Sequence, residues 1–406
     1  MIKIGKITFT QQSGCARISA NVDIDGDVRP LWFEVEDAYG QYLCWERSDA
    51  YVLGLLQYAI RYGHDISSET PMTRRLYEQL TGQFLPALYK LNRYGREDGV
   101  ADVGYATKIE CEVADEVEHP IGGDQIGSGV SCGVDSLHVF AAHPEVRYAC
   151  LWSAGVHGYK ESKERVEKLV ASLRARAVEF AEMTGLKFLM GETNYDTGCF
   201  PDLGWEGMTT NGNLFCAYSL QKFWSKYYIA SGYDIDNFHL DLGACGDPAH
   251  YEFMLFAFAA LGKFVVCMDG ADKSRVEKVG DLVDYAPARK FLNVCWMHND
   301  NHRNGTYDCA KCMRTLNNLD CFNAVDGFRE VFDVDYFHAH REEFLAEYYR
   351  GILHGDSFST EMSPYFKDKH FSVRVKVKAW IIVARKIIKK ILRRGRVQTS
   401  GFSSRG

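Results

Sequence analysis

The chain has 406 residues, 46% of them hydrophobic and 25% charged, with a formal net charge of −7. That is a globular composition, long enough for two domains, and no window of roughly eighteen uncharged apolar residues is present to span a membrane. Its 13 cysteines, odd in number and without a secretory pattern, and a start (MIKIGKITFT) lacking an apolar signal core argue against a secreted protein, so a cytoplasmic one is expected.

Along the chain, Ile2 to Phe9 and Ala16 to Val22 alternate, Trp32 to Val35 continues the strand pattern, and Asp25-Gly26 marks a turn, which predicts an antiparallel sheet. Ser48 can N-cap a helix over Asp49 to Tyr62, with Leu53, Leu56, Tyr58, Ala59 and Ile60 largely apolar and Gly63 at the stop. Thr70-Pro71 starts a further helix carrying Arg74, Arg75, Leu76, Leu80 and Phe84. Glu112 to Gly123 is acidic and then contains Pro and Gly, a seam that closes an N-terminal α+β domain over residues 1–118.

Gly127 to Ser136 reads GSGVSCGVDS, a small-residue strand running into a Ser/Gly turn and an apolar helix from near Leu137. Glycines let backbone approach phosphate oxygens, successive amides form an anion nest, and the next helix directs its positive end to the same spot. Ser131, Cys132, Gly133, Val134, Asp135 and Ser136 are therefore candidate nucleotide-binding residues. Ser136 can donate to phosphate, and Asp135 can hold Mg²⁺ or the amides of the nest. The lysine of a Walker A loop is absent, which disfavours γ-phosphoryl transfer. A Cβ at Cys132 is expected to be tolerable only if φ there is negative. The alternative is a strand-to-helix turn with no ligand.

Tyr148 to Ala154 reads as a strand, Glu161 to Thr184 as an amphipathic helix and Lys187 to Met190 as another strand, a βαβ pattern expected of a parallel sheet. Asn213 to Ala230 reads as a helix whose apolar face holds Phe215, Tyr218, Leu220, Phe223, Trp224 and Tyr227, and Lys263 to Met268 as a buried strand. Arg275 and Lys278 follow at a helix start, where they could face a nucleotide or an acidic substrate; a solvated helix start explains them equally. Cys309 and Cys312 form C-x-x-C, and Cys295 can add a third thiolate to one Zn²⁺, with His298, His302, Asp308 or Cys321 as a fourth ligand. Three buried reduced cysteines are the plainer reading.

His370 to Arg396 holds ten Lys and Arg and no acid, so the remainder carries −17, the −7 of the whole less those ten positive charges. Val377, Trp380, Ile381, Ala384, Ile387, Ile388, Ile391 and Leu392 recur there at helical spacing. A basic amphipathic helix of this kind suits an anionic membrane surface. Docking on the acidic body of the chain or on a partner subunit, as in a homo-oligomer, is the alternative, and nucleic acid is not expected.

Ser131 to Ser136, SCGVDS, resembles the SGGxDS loop of the PP-loop ATP pyrophosphatases, departing from it at Cys132. The cysteine segment is similar to the C-terminal cluster of several of these enzymes, including 7-cyano-7-deazaguanine synthase, although Thr306 stands where the first cysteine of their CxxCxxC would fall. SRVEK, from Ser274, resembles the S/T-R-x-E-K segment that many relatives carry. The order of a β module, the helix of Glu46 to Ile66, the loop and C-x-x-C looks like UDP-N-acetylmuramoyl-L-alanyl-L-glutamate epimerase over about residues 1–330.

The resemblance implies an α/β fold: a parallel-sheet, HUP-like PP-loop nucleotide domain over 119–350, preceded by the smaller α+β domain and followed by a 351–406 tail with the basic amphipathic helix. It implies ATP, Mg²⁺ and a structural Zn²⁺, and an enzyme of cell-envelope biosynthesis that adenylates a small-molecule or glycopeptide acid with release of pyrophosphate. Asp135, Ser136, Arg275 and Lys278 would carry the chemistry. Epimerisation next to the activated carboxylate, amide or nitrile formation, or a degenerate nucleotide-binding scaffold all stay open. A general base is not singled out among His138, His157, His250 and Glu252.

Overall fold

A computed structural model describes residues 1–94, 106–154, 163–196, 204–240, 247–295, 304–307, 309–366 and 371–385. The chain divides into two compact units, Met1–Lys273 and Ser274–Gly406.

The first unit opens with β1 (Ile2–Ile4), β2 (Thr8–Gln12), β3 (Cys15–Ile24) and β4 (Asp27–Glu36). Along β3 and β4 every second residue is apolar, so Ala16, Ile18, Ala20 and Val22 are buried together with Leu31, Phe33 and Val35. Asp25 and Gly26 take φ of 52° and 93°, a two-residue hairpin turn whose twist matches the strands it joins. Next come α1 (Asp49–Tyr62), β5 (Ile66–Ser68), β6 (Met72–Thr73), α2 (Arg74–Gln79), α3 (Leu85–Tyr94), β7 (Ile109–Glu110) and β8 (Val113–Ala114).

The α/β part follows: β9 (Gln125–Gly129), α4 (Val134–Ala142), β10 (Tyr148–Trp152), α5 (Lys163–Thr184), β11 (Lys187–Thr193), α6 (Gly204–Ser219), β12 (Trp224–Ala230), α7 (Glu252–Ala259) and β13 (Val265–Asp269). The main sheet runs β13-β12-β9-β10-β11-β4-β3-β1-β5-β7, with β2 beside β3. From β13 to β11 all neighbours are parallel. Gly191 of β11 then pairs with Val35 of β4 antiparallel, which welds the N-terminal strands onto the same sheet. One apolar core runs from Ile2 to Val266, and the division of the chain falls after Lys273, whereas the sequence placed boundaries after 118 and 350.

Two local expectations are corrected and a third is met in part. The helix expected over 213–230 ends at Ser219, and Trp224–Ala230 is strand β12. WSKYYIA is rich in aromatic and β-branched residues, and burial between two strands overrides the helical spacing that continues from α6. Met72 and Thr73 pair with Val113 and Ala114, so the helix expected from Thr70-Pro71 begins at Arg74. Ser48 holds the N-cap position of α1 as expected, but its buried hydroxyl makes no capping bond among the described residues. Instead Asp49, at the first turn, accepts from the backbone N–H (2.8 Å) and hydroxyl of Thr73.

The second unit is helical among its described residues: α8 (Arg275–Val283), α9 (Ala286–Phe291), α10 (Ala310–Cys321), α11 (Val334–Ala339), α12 (Arg341–Leu353), α13 (Ser357–Met362) and a helix at 373–385. Ser274 and Glu277 form a capping box that starts α8. In the last helix Val375 and Ala379 are buried against Ala346, while Lys378 reaches Glu342 at 2.9 Å and Glu343 at 2.7 Å on α12. Val373, Val377, Trp380 and Ile381 face out. One face therefore docks on α12 and a second apolar row remains exposed; residues 370 and 386–396 of the expected basic helix lie outside the described residues. Among the described residues no helix is long and apolar enough to cross a membrane.

Candidate active site and candidate metal centre

The parallel strands set the location of the first site. From β9 the chain winds through α4, β10, α5 and β11 in one direction, then returns to place β12 on the opposite side of β9 and β13 beyond it. In an open α/β sheet such a reversal opens a crevice outside the carboxyl ends of the two strands concerned, here β9 and β12. The Ser/Gly turn leaves the carboxyl end of β9. Gly127 keeps that strand tight against its neighbour, since a Cβ there would lie 2.7 Å from the Trp224 ring.

Two serines brace the turn. The Ser131 N–H donates to Ser136 Oγ at 3.0 Å, and the Gly133 N–H donates to Ser131 Oγ at 3.3 Å. Gly133, extended at φ −74° and ψ 173°, is the N-cap of α4. The amides of Cys132 and Val134 carry no hydrogen bond among the described residues. Ser136 accepts one bond and can still donate its hydroxyl proton, and Asp135 lies in the first turn of α4. The turn thus brings together all six of the expected nucleotide-binding residues.

Cys132 overturns the condition set for it, because its φ is +57°. This left-handed conformation costs a residue with a Cβ roughly 1–2 kcal/mol and is where a glycine is at ease. The side chain is nevertheless buried, and burial pushes its thiol up to about 12.

A polar chain links α4 to the end of β13. Asp269, at the end of β13, receives His138 Nδ1 and His143 Nε2, each at 2.7 Å. Burial would raise its carboxyl, but the two imidazoles outweigh that and hold it below the ordinary value. His143 stacks on Tyr228 with ring centroids 3.9 Å apart, and the Tyr228 hydroxyl donates to Glu145 at 2.6 Å. His138 is thereby buried with its Nδ1 engaged by Asp269. Of the other candidate bases, His250 stacks on Tyr233, Glu252 accepts from Thr210 at 3.1 Å and is buried, and His157 lies outside the described residues. Arg275 and Lys278 belong to the second unit, in the first turn of α8, where Lys278 is buried and the Arg275 amide meets Glu361 at 3.3 Å.

In that same unit Cys295, Cys309 and Cys312 are all buried, with their sulfurs within 4.8 Å of one another. Three sulfurs this close can share one tetrahedral Zn²⁺ at about 2.3 Å from each. Cys309 is the N-cap of α10. Burial opposes its ionisation, yet hydrogen bonds from Cys312 and the amide of Lys311 prevail and lower its pKa, while burial and the neighbouring sulfurs raise that of Cys312. His298, His302 and Asp308 lie outside the described residues. Cys321, at the far end of α10, packs instead with Phe322 and Tyr348.

Asn304 was not anticipated. Its Oδ1 accepts from the amides of Val294 (2.7 Å) and Cys295 (3.0 Å), and its Nδ2 donates to the carbonyls of Leu292 (2.8 Å) and Val331 (3.0 Å). It pins the segment that presents Cys295. An Asn within a Cys-bearing loop is the only hint the sequence holds. No family model, curated protein or solved structure matches the chain.

Proposed function

We propose that the protein is an ATP pyrophosphatase of the PP-loop kind, which adenylates a substrate carboxylate. The observation that carries this reading is the braced turn at the strand-order reversal, with two amides available, a hydroxyl able to donate and a helix start behind it. In the reaction a carboxylate oxygen attacks the α-phosphorus of ATP, the bond to the β-phosphate oxygen breaks, and pyrophosphate leaves into the nest. The amides of Cys132 and Val134 and the hydroxyl of Ser136 bind its oxygens, and Asp135 would hold Mg²⁺, which offsets the charge on the leaving group. The cationic role of Arg275 and Lys278 rests on the sequence resemblance. Whether the acyl-adenylate is epimerised or captured by an amine follows from the substrate.

The test is product analysis with ATP and a panel of glycopeptide and small acids. AMP and pyrophosphate are expected, with Asp135→Asn slowing the reaction on the order of 100-fold; ADP and phosphate would overturn the reading. The three thiols are proposed to hold one structural Zn²⁺, which metal analysis of the purified protein checks. For the exposed row of Val373, Val377, Trp380 and Ile381, flanked by Arg374, Lys376 and Arg385, the proposed occupant is an anionic membrane surface.

A further inference from the structure

Arg176, within α5, is only 4% exposed, and neither of its terminal guanidinium nitrogens has a hydrogen-bond partner among the described residues. Arginine cannot shed its proton, so a positive charge is enclosed with no ion pair among the described residues, a costly burial for a fold. One turn further along α5, Phe180 packs on Phe140 of α4 with centroids 5.0 Å apart, which fixes α5 against the helix that the Ser/Gly turn opens. The guanidinium and the Cys132 side chain are near enough to act on each other electrostatically: Arg176 opposes the upward push of burial on the thiol.

We propose that Arg176 is the buried cation of an oxyanion site at the 131–136 turn, one that takes a diphosphate group. The inference rests on the phosphate reading of that turn and adds to it the residue that supplies net charge. A guanidinium presents paired N–H donors in a planar fork that matches phosphate oxygens. The turn contributes the amides of Cys132 and Val134 and the positive end of α4, but no charge of its own. An arriving diphosphate satisfies both at once, and the positive φ of Cys132 is backbone strain of the kind that gathers at ligand sites.

Full-length wild type, Arg176→Met and Arg176→Lys are compared with pyrophosphate as the probe and AMP as a single-phosphate control. Pyrophosphate should bind the wild type and raise its melting temperature. Arg176→Met should weaken that binding by about tenfold or more while melting, without ligand, at or above the wild type, because an apolar chain of similar length replaces an uncompensated charge. Arg176→Lys should fall between. A structural arginine would show the opposite pair, a destabilised free protein with unchanged pyrophosphate affinity, and that result overturns the proposal. Should Arg176→Met fail to fold, the guanidinium NMR signals of the wild type, assigned with Arg176→Lys, must shift on adding pyrophosphate; an unmoved signal is equally fatal. If wild type and Arg176→Met bind pyrophosphate alike, Arg176 alone is excluded. If the wild type ignores pyrophosphate, the phosphate reading of the turn falls with it.

Discussion

Replacing Asn304 by Ala isolates the device that presents Cys295. The substitution deletes the two hydrogen bonds accepted by Oδ1 and the two donated by Nδ2, all at a buried residue. At a net value of roughly 1 kcal/mol each, and with two amides and two carbonyls left to find other partners in a dry environment, the loss comes to about 4 kcal/mol. That is a large share of the stability of any domain. Because Asn304 holds the backbone amide of Cys295, a thiol of the proposed zinc site, zinc affinity should fall by about ten- to a hundredfold, as for other groups that orient metal ligands. Competition with a chromophoric chelator reads the affinity and thermal melting reads the stability, each with and without zinc. In a Cys295→Ser background the same change should cost little further affinity, since the segment no longer delivers a ligand. Wild-type melting and zinc affinity in Asn304→Ala would refute the reasoning.

The left-handed backbone at Cys132 makes Cys132→Gly tolerable, within about 1 kcal/mol, and Cys132→Val more damaging, by about 2 kcal/mol or more, since a β-branched side chain resists that φ; equal denaturation midpoints for the two would contradict this. Asp269, whose carboxyl is held low by His138 and His143, contributes stability that is present above the unfolded value near 4 and is lost as pH falls through the folded one. The stability gap between wild type and Asp269→Asn should therefore close as pH falls below about 4, and a gap independent of pH in denaturant titrations would count against the assignment. Trp380→Glu, on the outward row of the last helix, should leave melting unchanged and abolish sedimentation with anionic liposomes; unaltered sedimentation, or a wild type that ignores liposomes, removes the membrane reading.

Local patterns in the sequence determined much of this molecule. Alternation identified β3 and β4, small residues before a Ser/Gly turn marked the end of β9, and the C-x-x-C spacing identified two of three clustered thiols, because each depends on neighbours a few residues apart. What pairs with what was decided only in three dimensions. The helical spacing of α6 runs on into Trp224–Ala230, so nothing local announces that this stretch is β12, the strand whose return beside β9 reverses the strand order. Likewise the antiparallel pairing of Gly191 with Val35 joins segments more than a hundred residues apart, and it merges into one sheet what composition divides in two. The unbonded guanidinium nitrogens of Arg176 among the described residues and the four bonds of Asn304 arise from the same cause. Burial removes water as a partner, and only the assembled core decides which polar groups find a replacement.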